Sequence, residues 1–166
     1  MALVIAPILG FWQIYALDIG SLSSMTLFGY DIIGVEVDKQ AKVFGYLFHL
    51  AALVAGIYSF HVRDPWQISM ALFYAASAVG VAFAGDMISL FLWWEGLAIT
   101  SVFQIWGRKT KEAEESGFRY LFFHVSSGLL LLAGILFRYH GEGPSAFLLE
   151  PLTEALEAGD LGSWLI

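Results

Sequence analysis

Five long apolar stretches, separated by short polar segments, dominate the chain. They are residues 2–17, 43–60, 66–84, 87–106 and 116–137. A helix that crosses the hydrocarbon core of a bilayer needs about 20 mainly apolar residues. The pattern therefore predicts an all-α integral membrane protein, one domain over residues 1–166 with about five transmembrane helices. The first stretch is short, but it lacks the basic start and small-residue cleavage site of a signal peptide, so we expect it to be retained.

The polar segments between these stretches predict where helices begin. Pro65 closes a short polar loop and suits the first position of a helix. Only Gly85 and Asp86 separate the third and fourth stretches, which predicts antiparallel neighbours with Asp86 as the N-cap of the fourth helix. The glycine-rich segment after the first stretch predicts a surface loop with a short hairpin around Tyr30–Val37. Near the end, residues 146–158 predict a short acidic surface helix.

Composition supports a membrane protein and excludes several kinds of site. The chain is 58% hydrophobic and 14% charged, against about 45–50% and about 25% in soluble domains. It has no cysteine, which excludes disulfides, thiolate metal sites and cysteine nucleophiles. The four histidines lack metal-binding spacing, and no Gly-rich phosphate loop is present. We expect no catalytic site and no cofactor in this chain, and no nucleic-acid binding at a net charge of −7.

The distribution of basic residues predicts the orientation in the membrane. Basic residues of short loops favour the cytoplasmic side. Antiparallel order places one group inside, Arg63, Arg108, Lys109 and Lys111, and the other outside, Lys39, Lys42 and Arg138. The bias is four to three, and it predicts that the loop between the fourth and fifth helices is cytoplasmic.

One carboxylate, Glu95, stands in the middle of the fourth apolar stretch, SLFLWWEGLAITSVFQIW. A charge near the bilayer midplane costs about 2.5–3.5 kcal/mol on insertion scales, and such residues are usually functional. Removal from water favours the protonated carboxyl, whereas a nearby cation favours the carboxylate. A partner that approaches and leaves would make Glu95 bind and release a proton. The alternative is a static ion pair that fixes helix packing. Trp93 and Trp94 are expected either to shield Glu95 or to mark the membrane interface.

Three further polar residues within the apolar stretches are candidates for a proton path. Arg119 either contributes to the path or extends toward the membrane surface. Histidine as a residue type binds and releases protons near neutral pH, so His124 is a candidate relay; the alternative is a hydrogen-bonded contact between helices. The two lie about 140° apart around one helix, so we do not expect them to touch. His49, in the second stretch, is equally a candidate relay or a structural contact.

Small residues recur at three- and four-residue steps along the third apolar stretch. They are Ala71, Ala75, Ala78, Ala82 and Gly85. Such a stripe allows close approach of another helix, so we interpret it as structural.

Two adjoining motifs resemble a known family. Residues 80–106, GVAFAGDMISLFLWWEGLAITSVFQIW, resemble the fourth and fifth helices of antiporter-like subunits, which occur in respiratory complex I, Mrp-type cation/proton antiporters and membrane-bound hydrogenases. The family pattern has an Asp, an apolar Leu-Phe run and a central Trp-Glu, matched by Asp86, Leu90-Phe91 and Trp94-Glu95. Residues 112–137 resemble the next helix of the family, more closely in its Mrp and hydrogenase branch. The matching positions are Arg119-Tyr120, His124, Gly128 and Gly134.

The resemblance, which covers about residues 35–166, implies roles for these residues. Glu95 would be the family's intramembrane glutamate, with Arg119 and His124 on the proton path. Family members contain two inverted five-helix repeats, and a broken helix with a lysine that pairs with the glutamate. This chain shows neither that helix nor the second repeat. We therefore expect the first half of an antiporter-like inverted-repeat bundle, an N-terminal fragment or split-gene half, with the lysine supplied by another chain or by sequence missing here.

The expected function is that of a membrane subunit, or fragment, of a complex that translocates protons or sodium ions. The resemblance leaves open an NAD(P)H:quinone oxidoreductase-like complex, a hydrogenase or an Mrp antiporter. The expected partners are other membrane subunits and the lipid bilayer, with the protein multi-pass in the plasma membrane of a prokaryote. The alternative is a non-conducting scaffold that anchors a redox or antiporter complex.

Overall fold

The computed structural model describes residues 1–27 and 30–142. In this part of the chain, five α-helices accompany one antiparallel β-hairpin. The elements in chain order are α1 (Ala2–Ala16), β1 (Leu22–Leu27), β2 (Tyr30–Glu36), α2 (Lys39–Tyr58), α3 (Pro65–Ala82), α4 (Met87–Trp106) and α5 (Lys111–Glu142). A short 3-10 turn, Ser59–His61, extends α2. The predicted surface helix at 146–158 lies outside the described residues.

The helices confirm the predicted fold class of a helical membrane protein. Three of those described are long and apolar enough to cross a bilayer: α2 with its 3-10 extension, α4 and α5. The other two predicted spans are helices as well. However, α1 has only 15 residues with Pro7 inside it, and α3 has 18 and opens on the polar sequence Pro-Trp-Gln.

Side-chain caps explain where three of the helices begin. Asp38 accepts a hydrogen bond from the backbone N–H of Ala41 at 2.5 Å, so α2 begins four residues before the predicted stretch. Asp64 accepts one from Trp66 N at 3.0 Å, with Pro65 in the first turn of α3. Asp86 caps α4 through Ser89 N at 2.6 Å, as predicted. Each cap satisfies a donor that the first turn leaves without an intrahelical acceptor.

The fifth helix is longer than its apolar stretch. It covers Lys111–Glu142, whereas hydrophobicity predicted only residues 116–137. Its added first turn, Lys-Glu-Ala-Glu-Glu, consists of strong helix formers, with acidic residues where the helix dipole favours them. The backbone therefore stays helical beyond the limits of the apolar segment.

Consecutive helices pack as neighbours, and glycines mark several of the contacts. A side chain at Gly56 of α2 would collide with the backbone carbonyl of Leu3 in α1. A side chain at Gly80 of α3 would collide with the indole of Trp93 in α4. Small residues at such points let two helix backbones approach closely. The bundle is therefore held by local close contacts rather than by one central core.

The hairpin attaches to the loop between α3 and α4. Its strands pair from Leu22↔Glu36 to Leu27↔Tyr30, with an irregularity between Ser23 and Ser24. The sequence placed a hairpin around Tyr30–Val37. Instead, that segment forms only the second strand, and the first precedes it. Glu36 N donates to Phe83 O at 2.8 Å and Gly85 N donates to Ile33 O at 3.2 Å. The second strand is therefore hydrogen-bonded through its backbone to the loop between α3 and α4.

Basic residues concentrate at the opposite end of the bundle. The side chain of Gln67, at the start of α3, donates to Gly107 O at the end of α4 (3.0 Å). The loops that carry Arg63 and Arg108 therefore lie at the same end. Arg138, which the sequence placed in an outer loop, lies instead within α5, 2% exposed, with Nη1 donating to Met87 Sδ at 3.9 Å. Arg138 is therefore not one of the loop cations from which the orientation was predicted.

Candidate functional site

Glu95 lies near the middle of α4, nine residues after the Asp86 cap. At 1.5 Å per residue this places it about 13 Å from the start of a helix about 30 Å long. The residue is half-buried, and its Oε1 is buried without a hydrogen-bond partner among the described residues. An acceptor left unsatisfied in this way costs about 1–3 kcal/mol, and more when charged. Folding alone gives no reason to keep a carboxyl there.

The carboxyl of Glu95 faces α5 at Gly128. Any side chain at residue 128 would overlap Glu95 Oε1, and Gly128 itself is buried. A second contact repeats this arrangement eleven residues away on each helix, where the indole of Trp106 covers Gly117. Eleven residues are about three turns, so both pairs lie on one face of each helix. This glycine face of α5, Gly117 and Gly128, determines how α4 and α5 fit together.

His124 stands one turn from Gly128 on α5. Residues four apart lie on the same side of a helix, so the imidazole is directed toward α4 like Gly128. Its Nε2 is buried and has no hydrogen-bond partner among the described residues. The α4–α5 interface therefore holds two buried atoms, one carboxyl oxygen and one imidazole nitrogen, that lack protein partners and can each bind a proton.

The imidazole of His124 makes stacked contacts with two aromatic rings. Trp94 of α4 lies 5.5 Å away between ring centroids, with an interplanar angle of 26°. Tyr120, one turn earlier on α5, lies 5.6 Å away at 27°. Trp93, by contrast, faces α3 and covers Gly80. Of the two tryptophans beside Glu95, only Trp94 stacks on the histidine.

Arg119 and His49 do not join this pair. Arg119 is exposed on the outside of α5, which agrees with the predicted separation of about 140° from His124. His49 lies between α1 and α2. Its Nδ1 is 2.7 Å from Gly45 O in its own helix, and its ring covers Gly10 of α1. The structure thus brings together Glu95 and His124, and leaves the other two predicted residues on different surfaces.

His49 also borders a cavity of about 560 Å³ between α1, α2 and α3. The predicted small-residue stripe of α3 contributes Ala71, Ala75 and Ala78 to its wall, and Ala52 and Gly56 line it from α2. These three positions of the stripe therefore face open space. The close contact of α3 with α4 is made instead through Ser77 and Gly80, against Gly96 and Trp93.

Asp86 does more than cap α4. It is 2% exposed, and its Oδ2 accepts a hydrogen bond from the backbone N–H of Ile33 at 2.5 Å. Ser89, in the first turn of α4, donates its hydroxyl to Ile33 O at 3.1 Å. Asp86 therefore joins the hairpin to the helix that carries Glu95. No group of three or more metal-binding side chains occurs among the residues that the structure describes.

The sequence did not identify the environment of Glu95. Tyr120 and Gly128 entered only through family matches. Trp94 entered through its family match and as a residue expected either to shield Glu95 or to mark the membrane interface. Two signals were available: the four-residue step from His124 to Gly128, and the eleven-residue step from Gly117 to Gly128. Both place the residues on one helix face, but neither indicates that α4 lies against it.

Comparison with solved structures shows that the chain is similar in structure to a subunit of a membrane complex. No protein-family model matches the chain, and no curated protein matches it. A subunit in the structure of the membrane-bound sulfane sulfur reductase, an archaeal respiratory membrane complex, matches 85% of this chain with a TM-score of 0.68 and 21% sequence identity. The chain spans 31% of the length of that subunit. At this identity the similarity shows a shared fold.

Proposed function

We propose that this chain is a membrane subunit, or part of one, in a complex that moves protons or sodium ions across a membrane. One observation supports the proposal most: the Glu95 carboxyl, midway along a spanning helix, has a buried oxygen without a hydrogen-bond partner in the described part of the chain. Intramembrane acids are rare and mark ion pathways. The fold shared with a subunit of a respiratory membrane complex supports a place in such an assembly.

Glu95 would act as the group that binds and releases the ion. In an apolar surrounding the carboxyl favours its protonated form, and an approaching cation favours the carboxylate. The resemblance to antiporter-like subunits suggests that this cation is a lysine from sequence outside this chain. In this proposal, the movement of charge toward and away from Glu95 drives uptake on one side and release on the other.

Arg119 and His49 would extend the path on either side of the central pair. Arg119 is exposed about two turns after the start of α5, and a cation that faces lipid there is costly. A neighbouring subunit placed against that face would enclose it and continue the path. His49 borders the cavity between α1, α2 and α3, which would serve as an entrance on the opposite side. As the family resemblance implies, we also propose that the protein is multi-pass in a prokaryotic plasma membrane.

The second candidate function is a non-conducting scaffold for the same kind of complex. The glycine face of α5 favours it, because close packing around Gly117 and Gly128 would keep α4 and α5 together without any ion movement. Under this alternative Glu95 has only a packing role. Its replacement would then weaken assembly more than transport.

Transport by the assembled complex in inverted membrane vesicles distinguishes these two functions. We expect Glu95→Gln to abolish coupled ion movement while the complex still assembles, because glutamine keeps the shape but does not bind a proton. Glu114→Gln is the matched control, since Glu114 is exposed in the first turn of α5. Equal transport by wild type and Glu95→Gln would refute the proposal. Loss of assembly without loss of transport per complex would support the scaffold.

A further inference from the structure

Two buried proton-binding atoms face the same helix interface, and aromatic rings enclose one of them. Glu95 Oε1 and His124 Nε2 are both without hydrogen-bond partners among the described residues. Trp94 and Tyr120 each stack on the imidazole of His124. We propose that His124, held by Trp94 and Tyr120, is a cationic partner of Glu95 within this chain. This inference deepens the proposed function and rests on it, and it names a partner that needs no second chain.

The two rings suit an imidazolium. A cation over the face of an aromatic ring, within about 6 Å of its centroid, is attracted by the negative face of the π system, most strongly with tryptophan. Both centroid distances, 5.5 and 5.6 Å, are within that limit, and both rings lie within 27° of parallel to the imidazole. Trp94 and Tyr120 therefore stabilise the charged form of His124 in an environment that otherwise disfavours charge.

Proton exchange within the pair conserves charge. The O–H bond of a protonated Glu95 breaks, an N–H bond forms at His124 Nε2, and a neutral pair becomes a carboxylate and an imidazolium. The reverse step restores both neutral groups. No hydrogen bond joins the two side chains in the structure described, so rotation about the bonds of the Glu95 side chain precedes transfer. Trp94 and Tyr120 are positioning residues, since neither exchanges the proton.

Few other ionisable groups face the imidazole from the elements packed around it. On α4 the ionisable group is Glu95, and on α5 it is Tyr120, which stacks on the ring. Arg119 lies on the outer side of α5 and is exposed. Among these described residues, Glu95 is the acid that can stabilise a charged His124. The charge state of the histidine should therefore depend on the glutamate.

The test measures the charge of His124 directly. Nitrogen-15 NMR of the full chain in lipid nanodiscs distinguishes imidazolium from neutral imidazole. We expect Trp94→Leu and Tyr120→Leu each to lower the ratio of imidazolium to neutral imidazole about two- to thirtyfold at fixed pH, the range of a cation–π contact. Trp94→Phe should restore much of the ratio, because a phenyl ring also presents a negative face. Glu95→Gln should lower it as well.

Trp93→Leu is the matched control. Trp93 and Trp94 are neighbours in sequence with almost equal exposure, 38% and 37%, but Trp93 covers Gly80 of α3. We expect its replacement to leave the charge of His124 unchanged. The proposal is overturned if the Trp93 and Trp94 variants change the ratio equally, if Glu95→Gln leaves it unaltered, or if His124 stays neutral at every pH at which the chain is folded.

These outcomes are distinguishable from failure of the proposed function. Transport that survives Glu95→Gln would refute ion movement through Glu95, whatever the NMR shows. A charge on His124 that depends on Trp94 and Glu95 would still establish the Glu95–His124 pair. Conversely, transport that requires Glu95, with a His124 charge independent of Glu95, would leave ion movement in place and refute the pair.

Discussion

The carboxylate of Asp86 accepts a hydrogen bond from the backbone N–H of Ile33, 53 residues earlier in the chain (Oδ2 to N, 2.5 Å). The same carboxylate caps α4 through Ser89 N. One buried side chain thus fixes the start of the helix that carries Glu95 and attaches the hairpin to it.

We expect Asp86→Ala to destabilise the protein more than loss of a cap alone. The substitution leaves the buried N–H groups of Ile33 and Ser89 without acceptors, which together cost about 2–4 kcal/mol. Asp64→Ala is the control, because Asp64 caps α3 through a single hydrogen bond near the surface; it should cost about 0.5–2 kcal/mol. The free energy of unfolding in mixed detergent micelles measures both. Equal losses would contradict a second role for Asp86.

The glycine face of α5 predicts that Gly117→Ala is destabilising even though alanine is the better helix former. The added methyl would displace the indole of Trp106 and its hydrogen bond to Glu114 O, 3.3 Å long. Such overpacking costs about 1–3 kcal/mol, against a gain of about 1 kcal/mol in helix propensity. Ser116→Ala, at an exposed position, should change stability by less than about 0.5 kcal/mol. A stabilised Gly117→Ala protein would refute the contact.

Gly128→Ala should impair ion movement without removing any ionisable group. The new methyl would occupy the place of Glu95 Oε1 and turn the carboxyl away from the α5 interface. We expect vesicle transport to fall toward that of Glu95→Gln, while assembly is kept. Ser127→Ala, one residue away and exposed, should transport like wild type. Full transport by Gly128→Ala would mean that the carboxyl acts from another position.

Arg119→Ala should separate transport from folding. The side chain is exposed, and exposed substitutions usually change stability by less than about 0.5 kcal/mol. If the guanidinium lies on the ion path, transport falls several-fold at unchanged stability. Arg108→Ala serves as the control, since Arg108 is exposed in the loop after α4. Unchanged transport in both variants would remove Arg119 from the path.

His49 can be assigned to a relay or to a structural contact by two substitutions. His49→Ala enlarges the cavity beside α1 and should lower stability by about 1–3 kcal/mol under either role. His49→Phe keeps an apolar ring over Gly10 but loses both nitrogens. We expect His49→Phe to reduce transport if His49 is a relay. Wild-type transport by His49→Phe would identify a structural contact with α1.

The sequence predicted the helices better than the contacts between them. The range of α4 follows from local signals, since Asp86 caps one end and the Gly107-Arg108 turn follows the other. Both ends of α5 were missed because apolar content was used to set them, whereas charged residues with good helix propensity continue the backbone. Whether a segment crosses the membrane and whether its backbone is helical are separate properties, and only helicity follows from the helix propensity of its residues.

In the candidate site, too, single residues were predicted better than the contacts between them. A lone acid in an apolar stretch identified Glu95, and its place midway along α4 required only residue spacing. Its contact with Gly128 and the stacking of Trp94 on His124 depend on how two helices rotate about their axes. That rotation is set by side-chain fit across the interface. The bond from Asp86 to Ile33 is likewise non-local, so the capping prediction captured only half of its role.

The two glycine contacts of α5 have a mechanical consequence. Trp106 and Glu95 each occupy a space that a side chain would fill, and the spaces lie three turns apart. Sliding of α4 along the axis of α5 would move the Trp106 indole and the Glu95 carboxyl away from these glycines and against neighbouring side chains at the same time. The α4–α5 pair therefore resists translation, and any change in the separation of Glu95 and His124 must come from side-chain rotation or from tilting of one helix relative to the other.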